Sequence, residues 1–332
     1  DYGASKAGMR MTMVGFASYL IALGTMSGLY ALLCLGLNLQ WGFAGLFNAG
    51  IAAFFAIGAY VAAILTSPES AVHFGGFGLP YVVAWPAAMA AGGLLAWAVG
   101  RVCLGLQGDY LAMASIGIAE VLRIVIKNEE WLTGGTRGVA AIPRPFEALL
   151  PQPWNSLAFL GLIVALVLII YLAAERAWVS PWGRSLRAIR DSDVAAAAIG
   201  KDVQQFRLEA FVLGAMVMAL AGALSAHYFK FLGTTATEPL MVTFLVWVML
   251  IVGGSGNNRG AILGAMLIWL IWSGTELLTN RLPAEWITRT SYIRVLLIGL
   301  LLQVVLQKFG KGLLPEQPPR MAGDQARDET RS

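Results

Sequence analysis

The sequence predicts an all-α polytopic membrane protein of about nine transmembrane or partly re-entrant helices with a short cytoplasmic coupling helix. Three observations carry this. Hydrophobic residues make up 58% of the 332 and charged residues 13%, and the mean hydropathy is +0.70. Soluble domains carry roughly 25% charged residues, so a soluble fold would have too few charges to cover its apolar surface. The apolar residues also gather in runs long enough to span a bilayer, which takes about 20 residues as helix. Finally, runs such as 157–172 are apolar on every face. That is the pattern of a helix embedded in lipid or in a bundle, whereas a transmembrane barrel would alternate over segments of about ten residues.

Taken in order, the segments fall at about 16–39, 42–66, 81–100, 104–127, 156–174, 208–230, 239–253, 258–279 and 291–308. The seventh is short for a crossing and ends in Gly253-Gly254, so it reads as a half-helix or re-entrant element. Residues 1–309 form one transmembrane unit on this reading, and the Pro-, Arg- and Asp-rich stretch 310–332 reads as a disordered cytoplasmic tail. Cys34 and Cys103 lie in or beside apolar runs and read as small buried hydrophobes. With only His73 and His227 beside them, they supply neither a disulfide framework nor a metal-ligand spacing. No cofactor is expected.

Charge sets the orientation. The longest polar connection, 175–209, carries Arg176, Arg184, Arg187, Arg190, Lys201 and Arg207, while 67–80 contains no Lys or Arg. The positive-inside rule therefore places 175–209 in the cytoplasm. Lys308 and Lys311 fit the same side after four further segments, and five segments back the chain starts outside, with Lys6 and Arg10 as counter-evidence. Arg137, Arg144, Arg281 and Arg289 are then external. A net charge of +4 fits cytoplasmic Lys and Arg retention rather than nucleic-acid binding, since no compact basic module is present.

Within that loop, 182–200 is the most informative stretch. Asp191 or Ser192 can cap a helix by accepting an orphan N–H, Val194 to Ile199 is Ala-rich and helix-favouring, and Gly200 can end it in the left-handed conformation. A two-turn knob between basic flanks suits docking into a cleft on a separate ATPase. It equally suits an ordinary interfacial helix whose arginines seat on phospholipid. The coupling reading rests on Arg184, Arg187, Arg190, Asp191, Asp193, Ala195, Ala196 and Gly200.

Irregular backbone at membrane depth is tolerated only where it is buried in protein or lines a cavity. Asn38 to Gly45 breaks the first long apolar region and Gly253 to Gly260 breaks a late one, a pairing that points toward a translocation site. The second suits a tight cytoplasmic turn containing Asn257, Asn258 and Arg259. The first is either a tight loop or a path lining, and the candidate path residues are Asn38, Gln40, Gly45, Asn48 and Glu120. Ionisable residues inside spans are functional by default. Glu120 and Arg123, however, stand one helical turn apart and can neutralise each other. Asp109 reads as a helix cap, Glu209 and Glu276 reach water near helix ends, and His227 reads as interfacial packing. No catalytic set emerges.

That scarcity discriminates among functions. An ion-coupled secondary transporter needs a carboxylate chain or a cation cage, and an intramembrane enzyme needs a metal-ligand helix, a nucleophile elbow or a His–carboxylate set. The chain shows none of these. It also lacks the Gly-rich phosphate loop of an ATPase, so an ATP-driven reading requires a partner to bind ATP.

The run Val-Ala-Ala-Ala-Ala-Ile-Gly at 194–200 resembles the coupling loop of bacterial ABC importer permeases, with Val194 in place of a Glu. The segments 31–45, 52–60 and 108–117, with Glu120 and Arg123 following, resemble the N-terminal signature of branched-chain amino acid ABC permeases. Segments 133–138, 183–190, 219–228, 253–256 with Gly260 and Gly264, and 312–315 continue the likeness in order. Ile51 stands where His is common, Asn48 where Ser is common and Arg137 where an acidic residue is frequent. The resemblance is to the longer of the two permease subunits. It implies a multi-pass inner-membrane subunit importing branched-chain or other neutral amino acids. The implied partners are two ATP-binding subunits, a second related permease and a periplasmic solute-binding protein. Amides or urea are alternative cargo.

Overall fold

The apolar runs fold as helices whose ends mostly fall within a few residues of the sequence boundaries. The computed structural model describes residues 2–69, 74–106, 109–233, 240–279, 284–309 and 311–316. Arg281 and the tail from 317 onward lie outside the described residues, as do the side chains of Lys6, Arg10, Glu276 and Arg289. The first half of the chain builds α1 (Tyr2–Leu37), α2 (Ile51–Thr66), α3 (Tyr81–Cys103), α4 (Asp109–Asn128), the one-turn α5 (Glu130–Thr133) and α6 (Trp154–Val179). Two short helices follow, α7 (Pro181–Asp191) and α8 (Asp193–Ala198). Then come α9 (Val203–Phe229), α10 (Leu245–Gly253), α11 (Asn258–Thr279) and α12 (Ala284–Lys308). Among the described residues the only β pairing is an isolated bridge between Val139 and Leu232.

Side-chain size decides which helices sit inside. The most apolar stretch of α9 is 72% buried and that of α6 only 17%, although α6 is the more hydrophobic. α9 is rich in Gly and Ala, and lets α2 approach backbone to backbone. A Cβ at Gly58 would stand 2.0 Å from the Ala219 carbonyl oxygen, and one at Gly222 would stand 2.0 Å from that of Phe55. Without a hydrophobic drive between helices in lipid, such close packing is what holds a bundle together. α6 instead exposes Val164, Leu168, Ile169 and Leu172, large side chains that suit acyl chains.

Several boundaries differ from expectation, with α1 starting at Tyr2 rather than about 16 and α12 at Ala284 rather than about 291. Hydropathy places the second segment at 42–66, but α2 starts only at Ile51. The first helix stays wound through a π-helical turn, Asn38–Phe43, and residues 45–50 are irregular. The apolar stretch Gly15–Phe43 is 29 residues, about 44 Å of helix, longer than the roughly 30 Å hydrocarbon layer. The chain then turns back inside the protein. Gly45 takes φ +68° at that turn, a left-handed conformation that favours glycine. The seventh segment is short, as expected, a π-helical turn (Leu240–Phe244) running into α10.

The tail boundary also moves. Residues 311–316, expected within a disordered tail, are packed. The N–H groups of Leu313 and Leu314 donate to the carbonyls of Val252 and Gly253, each at 2.9 Å, and Asn257 Nδ2 donates to the Pro315 carbonyl. The turn after α10 leaves carbonyls without helical partners, and this short segment satisfies them.

Candidate translocation path and coupling face

A cavity of about 520 Å³ opens on one side of the bundle between the irregular segment, α4 and the π-helical turn with α10. Phe47 and Ala49 contribute from the first, Ile116, Ala119 and Glu120 from the second, and Thr243, Phe244, Trp247 and Ile251 from the third. The volume falls within the roughly 300–1,000 Å³ of small-molecule sites.

The wall at 45–50 keeps its shape because its polar groups are bonded internally. The Asn48 side chain accepts from the Gly50 N–H at 2.8 Å and donates to Gln40 Oε1 at 2.8 Å. Its carbonyl accepts from Trp247 Nε1 at 3.0 Å. Gln40 Nε2 donates onward to the Phe211 carbonyl of α9 at 2.8 Å. Two backbone N–H groups at the start of α2 find hydroxyls on other helices: Ala49 donates to Ser115 Oγ at 3.0 Å and Ala52 to Thr243 Oγ1 at 3.3 Å. Trp41, Phe47 and Trp247 meet edge to face with centroids 4.5 to 5.5 Å apart, a favoured aromatic geometry. Asn38 works one turn earlier, accepting from the Gly256 N–H at 2.8 Å and donating to Asn258 Oδ1 at 2.9 Å. Asn258 in turn donates to Glu175 of α6 at 3.2 Å.

Of the five expected path residues, only Glu120 lines the cavity. Asn38, Gln40 and Asn48 are fully buried behind its wall, and Gly45 sits below them against the Arg190 side chain. Glu120 is half-buried and accepts from Arg123 Nε at 2.9 Å, as the one-turn spacing predicts. Phe47, Thr243 and Trp247 also line the cavity and were not singled out from the sequence. The available signal was Thr243, a lone hydroxyl in an otherwise apolar segment, with Trp247 one turn further on. Among the described residues, no three His, Cys, Asp or Glu side chains converge on a metal-sized site.

The second feature is the loop face. Ser180 caps α7, accepting from the Gly183 N–H, and Ser192 caps α8, accepting from the Ala195 N–H at 3.3 Å. Gly200 closes the knob at φ +82°. Val194 and Ile199 stand 77% and 72% exposed, with Ala195, Ala197 and Ala198 exposed between them and only Ala196 turned inward.

The arginines divide. Arg184 is exposed and donates to the Val179 carbonyl. Arg187 is buried with its guanidinium 3.9 Å from the Trp178 ring centroid, and desolvation pulls its pKa down while nearby Glu316 opposes this. Arg190 donates to the Gly42 carbonyl and, at 2.9 Å, to Glu316 Oε1. Asp191 lies 3.5 Å from Arg190, and Asp193 pairs with Arg207 at 3.4 Å. The structure therefore brings Arg184, Asp191, Ala195 and Gly200 to the outer face. Arg187, Arg190 and Ala196 point inward, and Asp193 lies between.

Sequence comparison fits this arrangement. The family described as branched-chain amino acid transport system, permease component, matches residues 19–306. The chain is 29% identical to the high-affinity branched-chain amino acid transport system permease protein LivM of Escherichia coli, over 91% of this chain and 71% of that protein. It is 24% identical to a probable LivM permease of Methanocaldococcus jannaschii, over 88% of this chain and 92% of the relative. A more distant relative, the autoinducer 2 import system permease protein LsrC of Photorhabdus laumondii, is 26% identical over 59% of this chain. No solved structure matches. The match over nearly the whole bundle, together with an all-helical membrane fold, places this chain in the permease-component family of branched-chain amino acid transport systems.

Proposed function

We propose that this chain forms one wall of the translocation path of an ABC importer for branched-chain or similar neutral amino acids. The observation that carries the reading is the family match across residues 19–306, joined to a cavity that opens sideways from the bundle. A second related permease covers that open side. Apolar Phe47, Ile116 and Trp247 suit a branched side chain, and Glu120 and Thr243 supply polar contacts. Asn38, Gln40, Gly45 and Asn48 hold the wall from behind. Two ATP-binding subunits grip the loop faces. Val194, Ala195, Ala198 and Ile199 of this chain seat in an apolar cleft, and Arg184, Asp191 and Gly200 lie at its rim. Arg187, Arg190, Asp193 and Ala196 keep the knob rigid from within. A soluble binding protein delivers substrate on the opposite face of the inner membrane, the side that carries Arg137 and Arg144, and residues 1–309 act as one permease domain.

The test is reconstitution with the partners that co-purify, measuring ATP hydrolysis and leucine uptake. Val194→Asp with Ile199→Asp changes only exposed side chains, so the protein should insert normally. Burying two carboxylates in an apolar cleft should lower uptake by roughly tenfold or more. Undiminished uptake in that variant sinks the docking assignment. Uptake by this chain alone under an ion gradient sinks the ABC reading altogether.

A further inference from the structure

A second cavity, of about 790 Å³, lies between the end of α3 and the start of α9 and shares no lining residue with the first. Its two ends differ in chemistry. Trp97 and Leu213 line the part toward the apolar layer, Leu208 lies level with Gly100 and Arg101, and Asp202 lies at the loop end, with Glu209 turned toward Gln205. The Arg101 guanidinium lies 5.2 Å from the Trp97 ring centroid, and among the described residues it makes no ion pair. Each Glu209 oxygen accepts one hydrogen bond, Oε2 from Trp182 Nε1 at 2.8 Å and Oε1 from Gln205 Nε2 at 3.0 Å. A carboxylate has about four lone-pair sites, so both oxygens keep capacity for a further donor. Asp202 caps α9 and is exposed.

We propose that this cavity binds one aminophospholipid of the leaflet on the α8 side. Its phosphate sits on Arg101, its ammonium between Glu209 and Asp202, and an acyl chain along Trp97 and Leu213. The argument is charge order and depth. One cation and two carboxylates leave the site at −1, so a phosphate alone meets net repulsion, whereas a phosphate followed by an ammonium matches both signs in sequence. The apolar collar identifies a lipid as the source of that charge pair. Trp97 of α3 and Leu213 of α9 line the cavity and are exposed, and Leu94 and Val102 of α3 add further exposed apolar surface on the same helix. A free amino acid carries the same two charges but covers none of that surface. Arginine and aromatic side chains at the edge of the apolar layer are suited to headgroup depth.

The proposal is tested on the purified chain in detergent by native mass spectrometry, with phosphatidylethanolamine or phosphatidylglycerol of matched acyl chains added. Phosphatidylethanolamine should be retained in clear preference, and Arg101→Gln should lower its retention by roughly tenfold, the loss of a charge-assisted contact. Gly105→Phe is an independent second variant: a Cβ there meets nothing within 4 Å, so the ring fills the cavity without strain and should displace the lipid equally. Equal retention of the two lipids by the native chain overturns the proposal. So does phosphatidylethanolamine retention unchanged in Gly105→Phe, or its displacement by millimolar free leucine, which would make the site one for a soluble zwitterion.

Discussion

Replacing Arg190 with alanine isolates the join between the loop face and the cavity wall. Its side chain is 23% exposed and reaches three groups: the Gly42 carbonyl, Glu316 at 2.9 Å and Asp191 at 3.5 Å. The Asp191 carboxylate is largely in solvent, so that pair contributes almost nothing. The Glu316 pair is partly exposed and contributes about 0.5–1 kcal/mol. The buried Gly42 carbonyl left without its donor costs about 1–3 kcal/mol. Arg190→Ala should therefore destabilise by roughly 1.5–4 kcal/mol in total, and Glu316→Ala by only the smaller part. Equilibrium unfolding in mixed micelles of the native chain, both single variants and the double variant yields the coupling energy, expected at about 0.5–1 kcal/mol. Arg190→Lys should rescue only part of the loss, because a point charge cannot fork to two acceptors as a guanidinium does. If Arg190→Ala proves no more destabilising than Glu316→Ala, the contact to Gly42 contributes nothing and the reasoning fails.

Two further outcomes follow from packing. Gly58→Val brings a Cβ within 2.0 Å of the Ala219 carbonyl oxygen and 2.5 Å of its Cα. Backbone cannot rotate away, so a loss of roughly 3 kcal/mol or more is expected, read as loss of the monodisperse peak in size-exclusion chromatography. Gly161→Ala in α6, where nothing lies within 4 Å, should leave that peak intact. Asn38→Leu strips the Gly256 N–H and Asn258 Oδ1 of a buried partner and should lower unfolding stability by roughly 2–4 kcal/mol. A midpoint equal to that of the native chain would remove the case for a structural amide network.

The helices were legible because lipid leaves a chain few choices: backbone polar groups must be paired internally, so apolar runs become helices. The knob at 192–200 was legible for a local reason, since Ser192, the Ala run and Gly200 each act on their own few residues. The wall at 45–50 was not. Trp41, Phe43 and Phe47 keep hydropathy high through the break, and the partners that stabilise the irregular backbone, Ser115, Phe211 and Trp247, are dozens to hundreds of residues away. Arg187 and Arg190 carry the same charge as Arg184 and look alike in sequence. Only tertiary structure reveals that Trp178 covers one and that Gly42 and Glu316 receive the other. The cavity is legible in no single stretch, because Phe47, Glu120 and Trp247 converge from three separate segments.

The amide ties behind the cavity bear on acidity. Asn48 to Gln40, Gln40 to the Phe211 carbonyl, Asn38 to Asn258 and Trp247 to the Asn48 carbonyl are bonds between groups that do not titrate near neutral pH. Protonation therefore cannot switch a donor to an acceptor anywhere along that set. In the proposed role, between two compartments of different acidity, this wall keeps the same hydrogen-bond pattern at either pH. The carboxylate that lines the cavity itself is Glu120, held by its Arg123 partner.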